Sequence, residues 1–153
     1  MTEKKQQPTA TEFSIQRLYV KDVSFESPNS PEIFLKDWQP DVHVDLNVAT
    51  NKLTEDDHEV VLRTTVSVKA GDKTAFLVEV NYAGVFMVKG VTDAEQLRAL
   101  LGIACPDILF PYARELVSEL ITRGGFPPLY LAPMNFEALY QQKLAEEQKK
   151  KKD

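Results

Sequence analysis

Along residues 13–88 apolar and polar positions alternate. In the second half of the chain the period lengthens to that of a helix. Residues 13–26 read as a strand: Ile15, Tyr19, Val23 and Phe25 share odd parity, and Leu18, Val20, Asp22, Ser24 and Glu26 share even parity. Successive side chains of a strand point to opposite faces, so Asp22 and Glu26 stand together. Three more strands are predicted. In residues 41–49 Val42, Val44, Leu46 and Val48 alternate with Asp41, His43, Asp45 and Asn47. In 59–69 Val60, Leu62, Val66 and Val68 alternate with Arg63 and Ser67. In 74–88 Phe76, Val78, Val80 and Tyr82 take one face, and Leu77, Glu79 and Asn81 the other. Ala70-Gly71-Asp72-Lys73 is the hairpin turn between the last two. Repeated alternation predicts an antiparallel sheet with one buried face.

Beyond residue 90, Thr92 or Asp93 caps a short helix through Leu101. Pro106 and Asp107 open a longer one, with Leu109, Tyr112, Ala113, Leu116, Val117, Leu120 and Ile121 at helical spacing. Gly124 and Gly125 stop it. Asn135 begins a last amphipathic helix carrying Phe136, Leu139, Tyr140 and Leu144. Strands first and helices after is the α+β class. The predicted organisation is a disordered segment over residues 1–12, one domain over 13–145, and a charged flexible tail over 146–153.

Two loops break the rule that loops are polar. Residues 27–40 contain Ile33, Phe34, Leu35 and Trp38 between prolines that cannot donate to a sheet, which makes this segment a crossover loop. Residues 126–133 are extended by three prolines and add Phe126, Leu129, Tyr130 and Leu131. Such side chains can cap the open face of a sheet. Eight of them on two surface segments also suggest a binding patch. On the polar sheet face, Leu77 and Glu79 would form an acidic plate with Asp22 and Glu26 if their strands are neighbours.

Composition narrows the partners. Residues 149–153 carry four of the 18 basic residues and one of the 23 acidic ones, so the rest of the chain stands at −8 against −5 overall. An acidic body disfavours nucleic acid and favours basic partners. No apolar run is long enough for a membrane span, and residues 1–16 lack the apolar core of a signal peptide. With a single cysteine, Cys105, the expected compartment is the cytoplasm.

Catalytic chemistry has thin support. His43 shares a strand face with Asp41 and Asp45, which permits an acid–base or metal reading, but a solvated strand face accounts for the same residues. His58, in a turn with Glu55, Asp56 and Asp57, is expected to be exposed, and Cys105 to be a buried inert thiol. Gly124-Gly125 is a helix stop and no phosphate-binding fingerprint occurs. The run of lysines at 149–152 reads as a solvated tail. The chain is expected to have no catalytic residues, metal or cofactor.

Several runs together carry a resemblance. They are Gln16-Arg17-Leu18-Tyr19-Val20-Lys21-Asp22-Val23-Ser24-Phe25-Glu26, Ser27-Pro28-Asn29-Ser30-Pro31, Lys36-Asp37-Trp38-Gln39-Pro40, Thr74-Ala75-Phe76-Leu77-Val78-Glu79-Val80, Cys105-Pro106-Asp107-Ile108-Leu109-Phe110-Pro111-Tyr112-Ala113-Arg114-Glu115, and Gly125-Phe126-Pro127-Pro128-Leu129-Tyr130-Leu131-Ala132-Pro133-Met134-Asn135-Phe136. In this order, spanning about residues 13–144, the chain resembles the SecB family of bacterial protein-export chaperones. The resemblance implies a four-stranded antiparallel sheet with two main helices packed on one face, and a homotetramer built as a dimer of dimers. It implies apolar grooves for unfolded secretory precursors, and delivery of these to the SecA motor. By position it assigns Asp22, Glu26, Leu77 and Glu79 to docking of SecA's zinc-containing C-terminal segment, the zinc belonging to that partner. The basic tail departs from the acidic or neutral tail frequent in relatives. Two alternatives stay open: an enzyme using His43, Asp41 and Asp45, and a SecB-like chaperone of a toxin–antitoxin system.

Overall fold

The structure is a computed structural model that describes residues 10–152, with side chains through Lys151. Four strands are formed: β1 (Glu12–Glu26), β2 (Pro40–Lys52), β3 (Asp57–Ala70) and β4 (Lys73–Lys89). They pair antiparallel in the order β1-β4-β3-β2. The sequential pair β1 and β2 therefore occupy opposite edges, and the segment between them must cross from one side of the sheet to the other. The β3–β4 connection is the predicted two-residue hairpin: Ala70 pairs with Lys73, and Gly71 takes the positive φ of 66° that such tight turns require.

Alternation decides which face is buried. On β3 Val60, Leu62, Val66 and Val68, and on β4 Phe76, Val78, Val80, Phe86 and Val88, all lie in the core. Helix α1 (Ala94–Ala99) is capped by Asp93, whose carboxylate accepts from the Glu95 and Gln96 amides at 2.8 and 3.3 Å. A π-helical turn (Leu100–Ala104) joins it to α2 (Cys105–Arg123). Helix α2 covers the apolar face with Leu109, Ala113, Val117 and Ile121, one residue per turn and all fully buried. It ends at Gly124 and Gly125, the latter at φ 90°, and the Phe126 amide donates back to the Ile121 carbonyl at 3.2 Å. Helix α3 (Phe136–Lys152) anchors through buried Phe136.

Three expectations are corrected. Strand β1 has bulges at Gln16 and Lys21, where its register with β4 slips. Each inserted residue flips the side chains that follow it. Tyr19 therefore pairs with Ala83 and faces outward, whereas Val23 and Phe25 pack against the core opposite Val80 and Val78, and Ile15 lies on that same side opposite Phe86 but stays 46% exposed near the strand's start. His58 is 5% exposed, because β3 starts at Asp57 and its even positions face inward, so His58 lies opposite Phe86. Residues 146–152 continue α3 as helix where a flexible tail was expected. Residues 1–9 and 153, which include most of the predicted N-terminal segment, lie outside the described residues.

Candidate functional site

The crossover segment is held to the sheet by its polar residues. The Asn29 amide donates to the Thr74 carbonyl at 2.9 Å, Ser27 Oγ to the Ala75 carbonyl at 3.2 Å, and Ser30 Oγ to the Ser27 carbonyl at 2.8 Å. A single 3-10 turn, Glu32–Leu35, follows and buries Ile33. On the other side, the stop at Gly124 and Gly125 throws Phe126 inward. Its ring centroid lies 4.8 Å from Phe76, 5.1 Å from Phe34 and 5.6 Å from Trp38. Ser118 of α2 donates to the Leu129 carbonyl at 2.8 Å and fixes the rest of that loop. The two apolar loops thus meet in one aromatic cluster at the end of the sheet.

The eight predicted groove residues divide by burial. Ile33, Phe126 and Leu131 are core, Trp38 and Leu129 are half-buried, and Phe34, Leu35 and Tyr130 are 48%, 89% and 77% exposed. The buried three therefore brace the patch in this chain, and the other five present its surface. Exposing Leu35 and Tyr130 this far is costly in water. Both sit on loops anchored at several points, so neither collapses inward.

The acidic quartet lies on the opposite face of the sheet. Glu26 is paired across β1–β4 with Leu77, Ser24 with Glu79, and Asp22 with Asn81. The bulge at Lys21 precedes Asp22, so the parity that put Asp22 with Glu26 survives. All four residues share one patch, with Leu77 37% exposed at its end. The register carries this face to β3: Arg63 lies opposite Asn81, and its Nε donates to Glu79 Oε1 at 2.8 Å. Asn81 adds a second donor to the same oxygen at 3.3 Å. The Arg63 hydrogen bond holds the Glu79 carboxyl below the usual carboxylate range, against the partial desolvation that opposes it.

Sequence reasoning missed this pair and a second one beside it. Glu59 accepts from the Tyr19 hydroxyl and from Lys21 Nζ at 2.9 and 3.0 Å. Its carboxyl is lowered, first by Tyr19 and then by Lys21. The Tyr19 phenol is pushed up to about 12, first by desolvation and then by its Glu59 hydrogen bond. Neither cluster has a signal in one sequence, because each joins strands whose register and bulges are set by pairing.

His43 is exposed on edge strand β2, and no group of three metal-ligating side chains occurs among the described residues. Burial pushes the Cys105 thiol up to about 12, far from the thiolate that a nucleophile needs. A cavity of about 180 Å³ lies between α3, the π turn and β2, lined by Val48, Leu101, Leu139 and Leu144. Arg98 and Glu147 join at 2.6 Å on its rim. No helix of the described residues is long and apolar enough to cross a membrane.

The family model described as preprotein translocase subunit SecB matches residues 4–147. A protein from Nitrosococcus oceani, named protein-export protein SecB, is 52% identical over 145 residues, spanning 94% of this chain and 88% of that protein. A solved SecB-like chaperone from Mycobacterium tuberculosis, in complex with a peptide from an antitoxin, superposes with a TM-score of 0.68 at 16% identity. That match covers 80% of this chain and 91% of the other.

Proposed function

The chain belongs to the SecB family, and from that membership we propose that it is a molecular chaperone for protein export, acting by binding rather than by catalysis. It holds unfolded precursors on the apolar patch of the two braced loops, keeps them competent for translocation and passes them to the SecA motor. The observation that carries the reading is the exposed apolar surface of Phe34, Leu35 and Tyr130, kept open by a buried aromatic cluster beneath it. An unfolded chain supplies what this surface lacks. Burying each large side chain is worth roughly 1.5–3 kcal/mol before ordering costs, and several such contacts along one client add by avidity. A client that folds hides its apolar segments and ceases to be a ligand, so slow-folding precursors are selected without nucleotide.

The acidic patch is the proposed dock for SecA's zinc-containing C-terminal segment, with Asp22, Glu26 and Glu79 meeting its basic residues and Leu77 giving apolar contact. It faces away from the apolar loops, so client and motor can be held together. The working form is taken to be a cytoplasmic homotetramer, a dimer of dimers, which multiplies both surfaces on one client. Service to a dedicated antitoxin is less favoured. The antitoxin-bound relative is 16% identical and bears on the fold alone, whereas the export relative is 52% identical.

The deciding experiment follows refolding of a denatured secretory precursor without ATP. Stoichiometric chain should slow the refolding, and the double variant Leu35→Ser, Tyr130→Ser should lose most of that effect while keeping its own fold. Normal refolding in the presence of excess wild-type chain would refute the proposal.

A further inference from the structure

The outer face of the sheet is less negative where it matters than its acids suggest. Across the strands the register sets out parallel rows. Asn47, Arg63, Asn81 and Asp22 form one row; Asp45, Thr65, Glu79 and Ser24 form the next; His43, Ser67, Leu77 and Glu26 form the third. Arg63 thus stands within the patch, one row from Glu79, and reaches it at 2.8 Å. Asp22 and Glu26 make no ion pair among the described residues, whereas Glu79 is engaged twice through Oε1. Glu79 Oε2 accepts no hydrogen bond among the described residues. The patch offers two free carboxylates and a third already answered by a cation of the chain itself. Arg63 is half-exposed, so a competing cation from solvent can reach the pair.

We propose that Arg63 is an internal competitor for the docking surface, which neutralises Glu79 in the free chaperone and so sets the affinity for a basic partner segment. The inference rests on the docking reading above and extends it to regulation of the same patch. A partner bringing a single cation meets Arg63 as a like charge. A partner with several cations engages Asp22 and Glu26 as well, and shares or displaces the guanidinium at Glu79. Arg63 therefore raises the number of basic residues a segment must carry in order to dock. It also keeps the patch from holding the cationic stretches of unfolded clients, leaving these to the apolar loops. Like-charge juxtaposition is a common means of rejecting wrong partners.

The test measures binding of SecA's zinc-loaded C-terminal segment, as a labelled peptide, to the full chain and four variants. Arg63→Gln removes the charge, Arg63→Met removes it while keeping the alkyl stem, and Arg63→Lys keeps the charge. Lys52→Gln removes a charge from the other end of the sheet, where Lys52 aligns with His58 and Phe86. That position is about 30 Å from the Leu77 row at roughly 3.3 Å per strand residue. Arg63→Gln and Arg63→Met should each bind about three- to tenfold tighter at low salt. Their affinity should fall more steeply with salt than that of wild type, because one more net charge is involved. Arg63→Lys and Lys52→Gln should stay within about twofold of wild type. Clients lacking basic stretches should be held equally well by all, and clients rich in them somewhat more tightly by the two neutral Arg63 variants. Unchanged or weaker peptide binding by the two neutral Arg63 variants would overturn the proposal, as would an equal gain from Lys52→Gln. A wild-type chain that does not bind the peptide at all removes the docking reading, and the role of Arg63 with it.

Discussion

The rings of Trp38 and Phe126 lie 5.6 Å apart, tilted at 33°, although 88 positions of sequence separate them. Phe126 is core and Trp38 is half-buried, so this contact links the interior to the proposed client surface.

That linkage separates stability from binding. Phe126→Ala should cost about 3–5 kcal/mol, the range for losing a buried phenylalanine. Tyr130→Ala, at a 77% exposed position, should change stability by about 0.5 kcal/mol or less. Denaturant unfolding followed by emission of the single tryptophan measures both. Trp38 emission should also shift when an unfolded client binds to saturation, and an unchanged spectrum would place the client elsewhere.

Reversing charge on the acidic patch should uncouple its proposed partner from its clients. With Glu26→Lys and Glu79→Lys together, the motor's basic segment should bind at least roughly tenfold more weakly. Refolding assays should show clients held as before, because the apolar loops lie on the other side of the sheet. Loss of client holding with intact peptide binding would mean that the two surfaces are assigned the wrong way round.

Close packing at the end of α2 makes Gly124 sensitive. A Cβ there would overlap the Phe25 ring, which stacks on Phe76 at 5.9 Å. Gly124→Ala should destabilise by about 1–3 kcal/mol through overpacking. Gly71→Ala has open space but a φ of 66°, so its cost of about 1–2 kcal/mol comes from backbone conformation. Adding Phe25→Leu should recover part of the loss in the first variant and none in the second.

Glu59 should give a recognisable acid limb. Its carboxyl is lowered from the ordinary 4.5 by Tyr19 and Lys21. A depressed folded-state value contributes stability above the unfolded value, and this is lost as pH falls through the folded one. Stability should therefore decline below about pH 4.5, and Glu59→Gln should be less stable at neutral pH with a shallower acid limb. Parallel pH curves for the two proteins, from urea unfolding, would contradict this.

Much of the fold was legible in the order of residues, since burial works on local periods. Alternation marks β2, β3 and β4, the four-residue stride of Leu109, Ala113, Val117 and Ile121 marks α2, and Gly71, Asp93 and Gly125 mark turn, cap and stop through their own conformational chemistry. The parity of Asp22 with Glu26, and of Leu77 with Glu79, needs only the pleat of one strand. What tertiary structure decided is whatever depends on pairing between strands. The bulges at Gln16 and Lys21 turned Tyr19 outward to Glu59. The β3–β4 register put Arg63 beside Glu79. The early start of β3 buried His58, and contacts between distant loops divided eight apolar residues into core and exposed rim. A linear pattern records which side chains avoid water, but not which strand lies alongside. Ion pairs and shared walls are properties of the neighbour, so they exist only once the sheet has closed.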